Sequence, residues 1–427
     1  MVSSINSIKV KRTLSSGEAV GVGEMATDKQ GRVFFAYDDH YIQNYPSLSP
    51  FKLPFNTEPN QSESNLHKGL YGVFSDSLPD GWGLMLMDKQ FLKSGMNLHE
   101  ISPLHRLAYI GGNGMGALTY KPSCFTTETD QFLTLNELGK ASIELYEGSD
   151  KDVLPAITIA GGSPGGARPK ALIGFDGKII STHPNNKLPQ WIIKFGSDKL
   201  LLKHEEGLVE SIYLDMAKLA GCNTPEYHLF DNPLGTQWLA LKRFDVTYSA
   251  NNIETGRLHM HSVCGLLNAD FRAPSIDYQS LIRATQVLTK HQGQTREMFR
   301  RGVFNLLSGN CDDHSKNFAF LQNDEGKWQL SPFFDVCFSP TPHQQQTSSL
   351  LGHGKAVPHK AITELAREAG ITKPSEIKKI ISQCLDAIAQ FDSLALKRGI
   401  SPKVREMISN YLNGIIIREH SLIKKFS

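Results

Sequence analysis

Gly309-Asn310-Cys311-Asp312-Asp313-His314-Ser315-Lys316-Asn317-Phe318 stands between a segment of helical period, 295–307, and a predicted hairpin, 318–330. An aspartate, a lysine and an asparagine within six residues of such a loop meet the needs of phosphoryl transfer. Asp312 can orient an attacking hydroxyl and accept its proton. Asn317, five residues on, can bind a metal that neutralises phosphate charge. The hairpin leads to Phe333-Phe334-Asp335, where a second carboxylate can hold Mg²⁺ bridging the phosphates. The Asp-to-Asn spacing is that of a protein-kinase catalytic loop, and Phe-Phe-Asp stands where Asp-Phe-Gly would. A lone Asp or Asn would read as an Asx turn capping a helix. Loop, hairpin and second carboxylate in series outweigh that reading and point to an α+β, two-lobed, protein-kinase-like fold.

Upstream, Ile159-Ala160-Gly161-Gly162-Ser163-Pro164-Gly165-Gly166-Ala167-Arg168-Pro169-Lys170 can lay backbone N–H groups against phosphates. It is not a Walker A loop, because Ala167 stands where the lysine must be. It does satisfy G-x-S-x-G at 161–165, the pattern of a serine hydrolase. There the residue after the nucleophile donates an oxyanion-hole N–H, and Pro164 has none. Next comes Trp191-Ile192-Ile193-Lys194-Phe195, a strand with one lysine among apolar residues. Such a lysine pairs with phosphate oxygens in kinases and is held by a Glu from the next helix. Glu210 is the best partner and Glu206 the alternative. Taken alone, a strand lysine is an ordinary edge residue.

The chain of 427 residues is long enough for two or three domains. A formal net charge of +2 is too small for a protein that coats nucleic acid. The six cysteines, Cys124, Cys222, Cys264, Cys311, Cys337 and Cys384, form no CxxC pair and suit no disulfide framework or zinc ribbon. With no signal-peptide or membrane-spanning run, a soluble cytoplasmic protein is expected.

Residues 5–125 read as mainly β, with a Pro-rich connection at 46–59. A helix capped by Asp80 runs to about 91, another spans 102–108, and a polar link follows at 125–131. Residues 153–245 read as strand, glycine turn and strand, then a strand at 190–195. A helix follows over 205–220, with strands at 226–230 and 237–243. Beyond 275 the period is helical over 280–288, 295–307, 360–368, 374–391 and 402–426. Two patterns are set aside. Gly112-Asn113-Gly114-Met115-Gly116-Ala117 fits the dinucleotide pattern G-x-G-x-x-A but follows a helix and enters a strand. His259, His261 and Cys264 have no fourth ligand nearby.

With these features in chain order, the sequence resembles the HipA family of bacterial toxin kinases. Residues 17–122 look like its N-terminal subdomain, carrying Leu78-Pro79-Asp80-Gly81-Trp82 and Gly111-Gly112-Asn113-Gly114-Met115-Gly116-Ala117-Leu118. Residues 153–410 look like its kinase portion, supported by Leu241-Lys242-Arg243-Phe244-Asp245. The resemblance implies an N-terminal subdomain over 1–125, a kinase N-lobe with phosphate loop over 126–245, and a helical C-lobe over 246–427. It implies Asp312 and Lys194 as catalytic residues, and Asn317 and Asp335 as Mg²⁺ ligands. ATP would meet Gly165, Gly166, Ala167, Arg168, Pro169 and Lys170 as phosphate loop, and Lys242, Arg243 and Phe244 as hinge. His314, Lys316, Asn317, Phe334 and Asp335 would complete its contacts. Ser163 falls at the autophosphorylated serine, whose modification would pull the loop out and inactivate the kinase. A Glu is familiar where Lys242 stands. Family members act with a DNA-binding antitoxin of HipB type and meet DNA only through that complex. They phosphorylate translation components such as aminoacyl-tRNA synthetases. A small-molecule kinase on the same fold, or a catalytically weak binding and repression module, would share these motifs.

Overall fold

The computed structural model describes residues 5–123, 133–149, 155–161, 165–183, 188–419 and 424. The chain falls into two compact units that do not follow sequence order. One comprises Met1–His204, His228–Asn268 and Leu321–Gly326; the other comprises Glu205–Tyr227, Ala269–Phe320 and Lys327–Ser427. The expected boundary at 245/246 is therefore not where compactness divides the chain. The link expected at 125–131 lies outside the described residues.

The first unit contains two five-stranded sheets and a two-stranded one, Val246–Tyr248 with Glu254–Arg257. Strands β1 (Ser7–Thr13), β2 (Ala19–Thr27), β3 (Val33–Tyr37), β4 (Asn60–Gln61) and β5 (Leu118–Lys121) form the order β4-β3-β2-β1-β5. Along β1 the buried residues alternate, which directs Ile8 and Val10 into a core with Val22, Met25, Phe35, Phe74, Leu107 and Tyr120. Strands β6 (Lys170–Phe175), β7 (Ile180–Ser181), β8 (Gln190–Lys194), β9 (Tyr227–Asp231) and β10 (Gln237–Lys242) form the order β7-β6-β8-β10-β9. The core of this second sheet includes Ile173, Phe175, Trp191, Ile193, Phe195 and Trp238. Trp82 and Leu86, from the helix Gly81–Lys93, belong to the same cluster. A helix from the N-terminal segment thus packs on the second sheet.

One expectation fails here. The strand expected before the glycine turn is a helix, Pro155–Gly161. A short apolar run fits either state by pattern alone. In place, Ile157 and Ala160, one helical turn apart, are buried in the cluster of Trp82 and Leu86.

The histidines set aside in the sequence are core residues of this unit. His259 Nε2 lies 2.8 Å from the Leu48 carbonyl, and burial with the nearby Arg12 charge holds its pKa well below the usual value. His261 Nε2 lies 2.9 Å from Ser49 Oγ, and its Nδ1 lies 2.6 Å from Asp76 Oδ2. Among the described residues no group of three or more His, Cys, Asp or Glu could hold a metal ion. Asp76 also accepts from the Ser262 N–H at 2.7 Å and from the Ser262 hydroxyl at 2.6 Å. That draws the helix Gly72–Ser75 against Val263–Leu267, and the two backbones touch at Gly72 and Gly265.

The second unit is built on helices: Glu206–Leu219, Tyr278–Thr289, Gln292–Ser308, His359–Glu368, Pro374–Ile388, Phe391–Lys397 and Pro402–Arg418. Gln292–Ser308 is buried almost all round beyond Thr295, as befits a central helix. It ends at Gly309, whose φ of +69° is the left-handed cap that glycine favours. A Cβ there would also lie 2.5 Å from the Tyr411 ring. The hairpin Ala319–Gln322 and Trp328–Leu330 follows, turning through Gly326 at φ +83°. Among the described residues no helix is long and apolar enough to cross a membrane, and the five described cysteines are buried thiols outside any disulfide.

The Gly72 contact gives a direct test. A Cβ at Gly72 would sit 2.1 Å from the Gly265 carbonyl oxygen, a backbone atom that cannot step aside cheaply. Gly72→Ala is expected to cost roughly 2–4 kcal/mol in chemical denaturation. Gly112→Ala, where a Cβ meets nothing within 4 Å, should stay within about 0.5 kcal/mol of wild type.

Candidate active site

In the β-rich unit, Lys170 on β6 and Lys194 on β8 are register partners. Opposed residues of an antiparallel pair project from the same face, so two ammonium groups share one face of the sheet. Both are buried, at 6% and 8% exposure, and β8 is an interior strand, which removes the edge-residue reading of Lys194. Like charges so placed are unfavourable by themselves and favour an anion beside them. Lys170 Nζ donates to the Gly165 carbonyl, folding the lysine back over the glycine loop. Gly166 has φ +102°, a conformation that L side chains rarely adopt, and a Cβ there would collide with Lys170 Nζ. Ser163 lies outside the described residues.

The Gly166 N–H donates to the Asp80 carboxylate. Asp80 holds the N-cap position of Gly81–Lys93, as expected, but its side chain makes no capping hydrogen bond there. The Trp82 N–H donates to the Gly166 carbonyl at 3.0 Å, and Trp82 Nε1–H donates to the Lys170 carbonyl at 3.0 Å.

The expected hinge divides into distinct roles. The Arg243 guanidinium is fully engaged: 2.8 Å to Gln190 Oε1, 2.6 and 3.1 Å to the Asp245 oxygens, and 3.2 Å to the Gly114 carbonyl. Its own N–H donates to the Gln190 carbonyl at 2.9 Å. The Arg243 side chain is a buried strut. Burial raises the Asp245 carboxyl's pKa, but the Arg243 charge, the hydrogen bonds from Arg243 and the Gly116 N–H, and the Arg257 charge together hold it below the usual range. Asp245 Oδ2 accepts the Gly116 N–H at 2.6 Å, and Arg257 Nη1–H donates to the carbonyls of Gly112 and Gly114 at 3.2 and 3.1 Å. The stretch with the dinucleotide pattern is an arch clamped by these charges. Lys242, where a Glu is familiar, lies with Nζ 5.3 Å from the Tyr248 ring centroid and 5.9 Å from that of Trp191. Two aromatic faces thus accommodate the cation.

In the helical unit, Asp312 presents a side chain that is 62% exposed, with its backbone N–H donating to Ser339 Oγ at 3.1 Å. His314 Nε2 lies 3.8 Å from Asp312 Oδ1. Asn317 Nδ2–H donates to the Asp312 carbonyl at 2.7 Å, so the carboxamide oxygen faces away from that carbonyl and can serve as a hard ligand. Lys316 Nζ sits 4.4 Å from the Phe271 ring centroid. Asp335, the other expected metal ligand, adopts φ +57°, a strained conformation of the kind concentrated at functional sites. The approach to it is pinned: the Phe333 N–H donates to the Asn223 carbonyl at 2.7 Å, and Arg301 lies 5.1 Å from the Phe333 ring centroid. A carboxamide oxygen and a carboxylate are hard oxygen donors of the kind that Mg²⁺ takes. Glu210 and Glu206 are buried on the helix Glu206–Leu219.

Sequence reasoning missed the residue that holds this loop. Asp313 is buried, accepting from the Tyr278 hydroxyl at 2.9 Å and the Ser348 N–H at 2.9 Å. Tyr278 accepts from Asn305 Nδ2–H at 2.8 Å, Asn305 Oδ1 accepts from Asn310 at 2.8 Å, and Asn310 Oδ1 accepts from Ser339 at 2.9 Å. Burial raises the Asp313 carboxyl to about 7, against the lowering effect of its donors. Burial likewise pushes the Tyr278 phenol well above its ordinary value, so it donates as a neutral group. No motif spacing marks Asp313; the adjacent acidic pair was the only available signal.

Comparison with known proteins adds the following. Residues 162–391 match the family model described as HipA-like C-terminal domain, and residues 17–121 match the HipA N-terminal domain. A putative kinase of Sinorhizobium fredii is 23% identical, the match covering 86% of this chain and 88% of that one. A second putative kinase of that organism is 25% identical over 47% of this chain, which spans half of that relative's length. The HipA of Shewanella oneidensis, solved with HipB and operator DNA, superposes with a TM-score of 0.69 at 18% identity, covering 97% of this chain and 99% of its own. At that identity the likeness establishes the two-lobed kinase-like fold.

The Asp313 carboxyl makes stability depend on pH with a definite sign. Its pKa is raised from 3.8 to about 7 in the folded chain, so between about pH 4 and pH 7 the unfolded state loses the proton that the native state keeps. This group's contribution is greatest below pH 4, falls as pH rises and levels off above about 7. The span is on the order of 4 kcal/mol. Denaturant titrations across that range should show the fall in wild type relative to Asp313→Asn, which retains an acceptor for Ser348. Parallel pH profiles would remove Asp313 as the titrating group.

Proposed function

Since this chain belongs to the HipA family, we propose that it is an ATP- and Mg²⁺-dependent serine/threonine protein kinase acting as the toxin of a toxin–antitoxin pair. The observation that carries this reading is the catalytic-loop geometry: an exposed Asp312 carboxylate with Asn317 bonded to the Asp312 carbonyl. In the reaction, the acceptor hydroxyl gives its proton to Asp312 as its oxygen bonds to the γ-phosphorus. The bond from that phosphorus to the β–γ bridging oxygen breaks, and ADP leaves. General-base assistance of this kind contributes roughly 10²–10⁴-fold. Mg²⁺ held by Asn317 and Asp335 would neutralise charge on the phosphates. Lys194, Lys170 and the backbone N–H groups of Gly165, Ala167 and Arg168 would contact phosphate, and Lys316 and His314 are further nucleotide contacts in this proposal.

The HipB in the Shewanella complex supports a HipB-type antitoxin as partner, with DNA reached through it. Within the same proposal, Ser163 is the autophosphorylation site, the substrate is a protein of the translation apparatus such as an aminoacyl-tRNA synthetase, and the setting is the cytoplasm.

Two measurements test this. Mg-ATP should raise the melting temperature of wild type and raise that of Asp335→Ala much less; equal shifts would take Asp335 out of the site. Expression without a partner should arrest bacterial growth, while Asp312→Ala and Asp335→Ala accumulate as soluble protein without arrest. Arrest by folded Asp312→Ala at the wild-type level would point to toxicity through binding instead of phosphotransfer.

A further inference from the structure

We propose that Asp80 is a positioning residue for the phosphate loop, so that the N-terminal segment sets how the loop meets phosphate. This rests on the nucleotide reading of 165–170. Asp80 stands at an N-cap without capping, and its carboxylate takes the Gly166 N–H. A charged acceptor gives a backbone N–H a stronger bond than a neutral one. The next two residues continue the grip. Gly81 adopts φ +43°, and a Cβ there would lie 2.6 Å from Ala167 Cα and 2.7 Å from the Gly166 carbonyl oxygen, so glycine permits the close approach. Trp82 bonds the Gly166 and Lys170 carbonyls at 3.0 Å each and is itself buried in the core of the second sheet.

The consequence is specific. Gly165 and Gly166 would sample many conformations without restraint. Three hydrogen bonds, one to Asp80 and two from Trp82, restrain 166–170 at both ends, and Lys170 at the far end is the lysine facing Lys194. Asp80 touches the loop and not the reacting atoms, so its influence is on phosphate binding and not on proton transfer.

The test uses the full chain and two variants. Asp80→Ala removes the acceptor; Asp80→Asn keeps an oxygen at the same place without the charge. Hydrogen exchange in nucleotide-free protein should show the Gly166 amide exchanging roughly tenfold or more faster in Asp80→Ala, with Asp80→Asn between it and wild type. The Kd for Mg-ATP should rise by roughly tenfold or more in Asp80→Ala and be largely restored in Asp80→Asn, while adenosine binding stays unchanged. A merely structural role would weaken adenosine and ATP alike, and that result overturns the proposal. So does tighter ATP binding by Asp80→Ala, which would make the carboxylate a competitor of phosphate. Unchanged Gly166 exchange in Asp80→Ala overturns the positioning role alone. Failure of wild type to bind Mg-ATP overturns the nucleotide reading and this role with it.

Discussion

The buried carboxylate of Asp313 is the constraint on which the helical unit's site depends. A carboxyl removed from water is costly unless its oxygens are satisfied, and here Tyr278 and the Ser348 N–H satisfy them. The line of bonds then runs from Tyr278 through Asn305 and Asn310 to Ser339, which accepts the Asp312 N–H. Two neighbouring aspartates thereby take opposite parts: one is locked in the interior, and the other stands in solvent with its backbone held. Such a network is strong when complete and costly when broken, which is why every member is polar and internally paired.

The β-rich unit manages charge differently. Arg243 and Asp245 are both buried, and a buried pair by itself contributes little net stability because desolvation offsets attraction. Their remaining bonds, to Gln190, Gly114 and Gly116, fix the glycine arch beside β5. Lys170 and Lys194 present the reverse case, with two cations on one face. The first arrangement gives shape.

The helix Gly81–Lys93 packs into the core of the second sheet of that unit. It lies in the segment matching the HipA N-terminal domain, yet Trp82 and Leu86 are core residues of the sheet that carries Lys194. Compactness accordingly places both sheets in one unit. Family segments read along the chain and units read from contacts need not coincide.

The sequence by itself determined the kinase-like arrangement of the loop 309–318, the hairpin and Asp335. It also determined most of the helices and the strand bearing Lys194, because these rest on local spacing and period. Asp312 and Asn317 were legible because five residues of chain bring them together wherever the loop is placed. Only the tertiary structure decided that Asp313 is the loop's anchor, that Arg243 is a strut, and that Asp80 serves the glycine loop instead of its own helix. It also made Pro155–Gly161 a helix. In each of these cases the deciding partner is distant in sequence: Ser348 for Asp313, Gly114 for Arg243, Gly166 for Asp80 and Trp82 for the helix. Local pattern sets what a residue can do. Burial and long-range pairing set what it does, since an aspartate's environment exists only once the chain has closed around it.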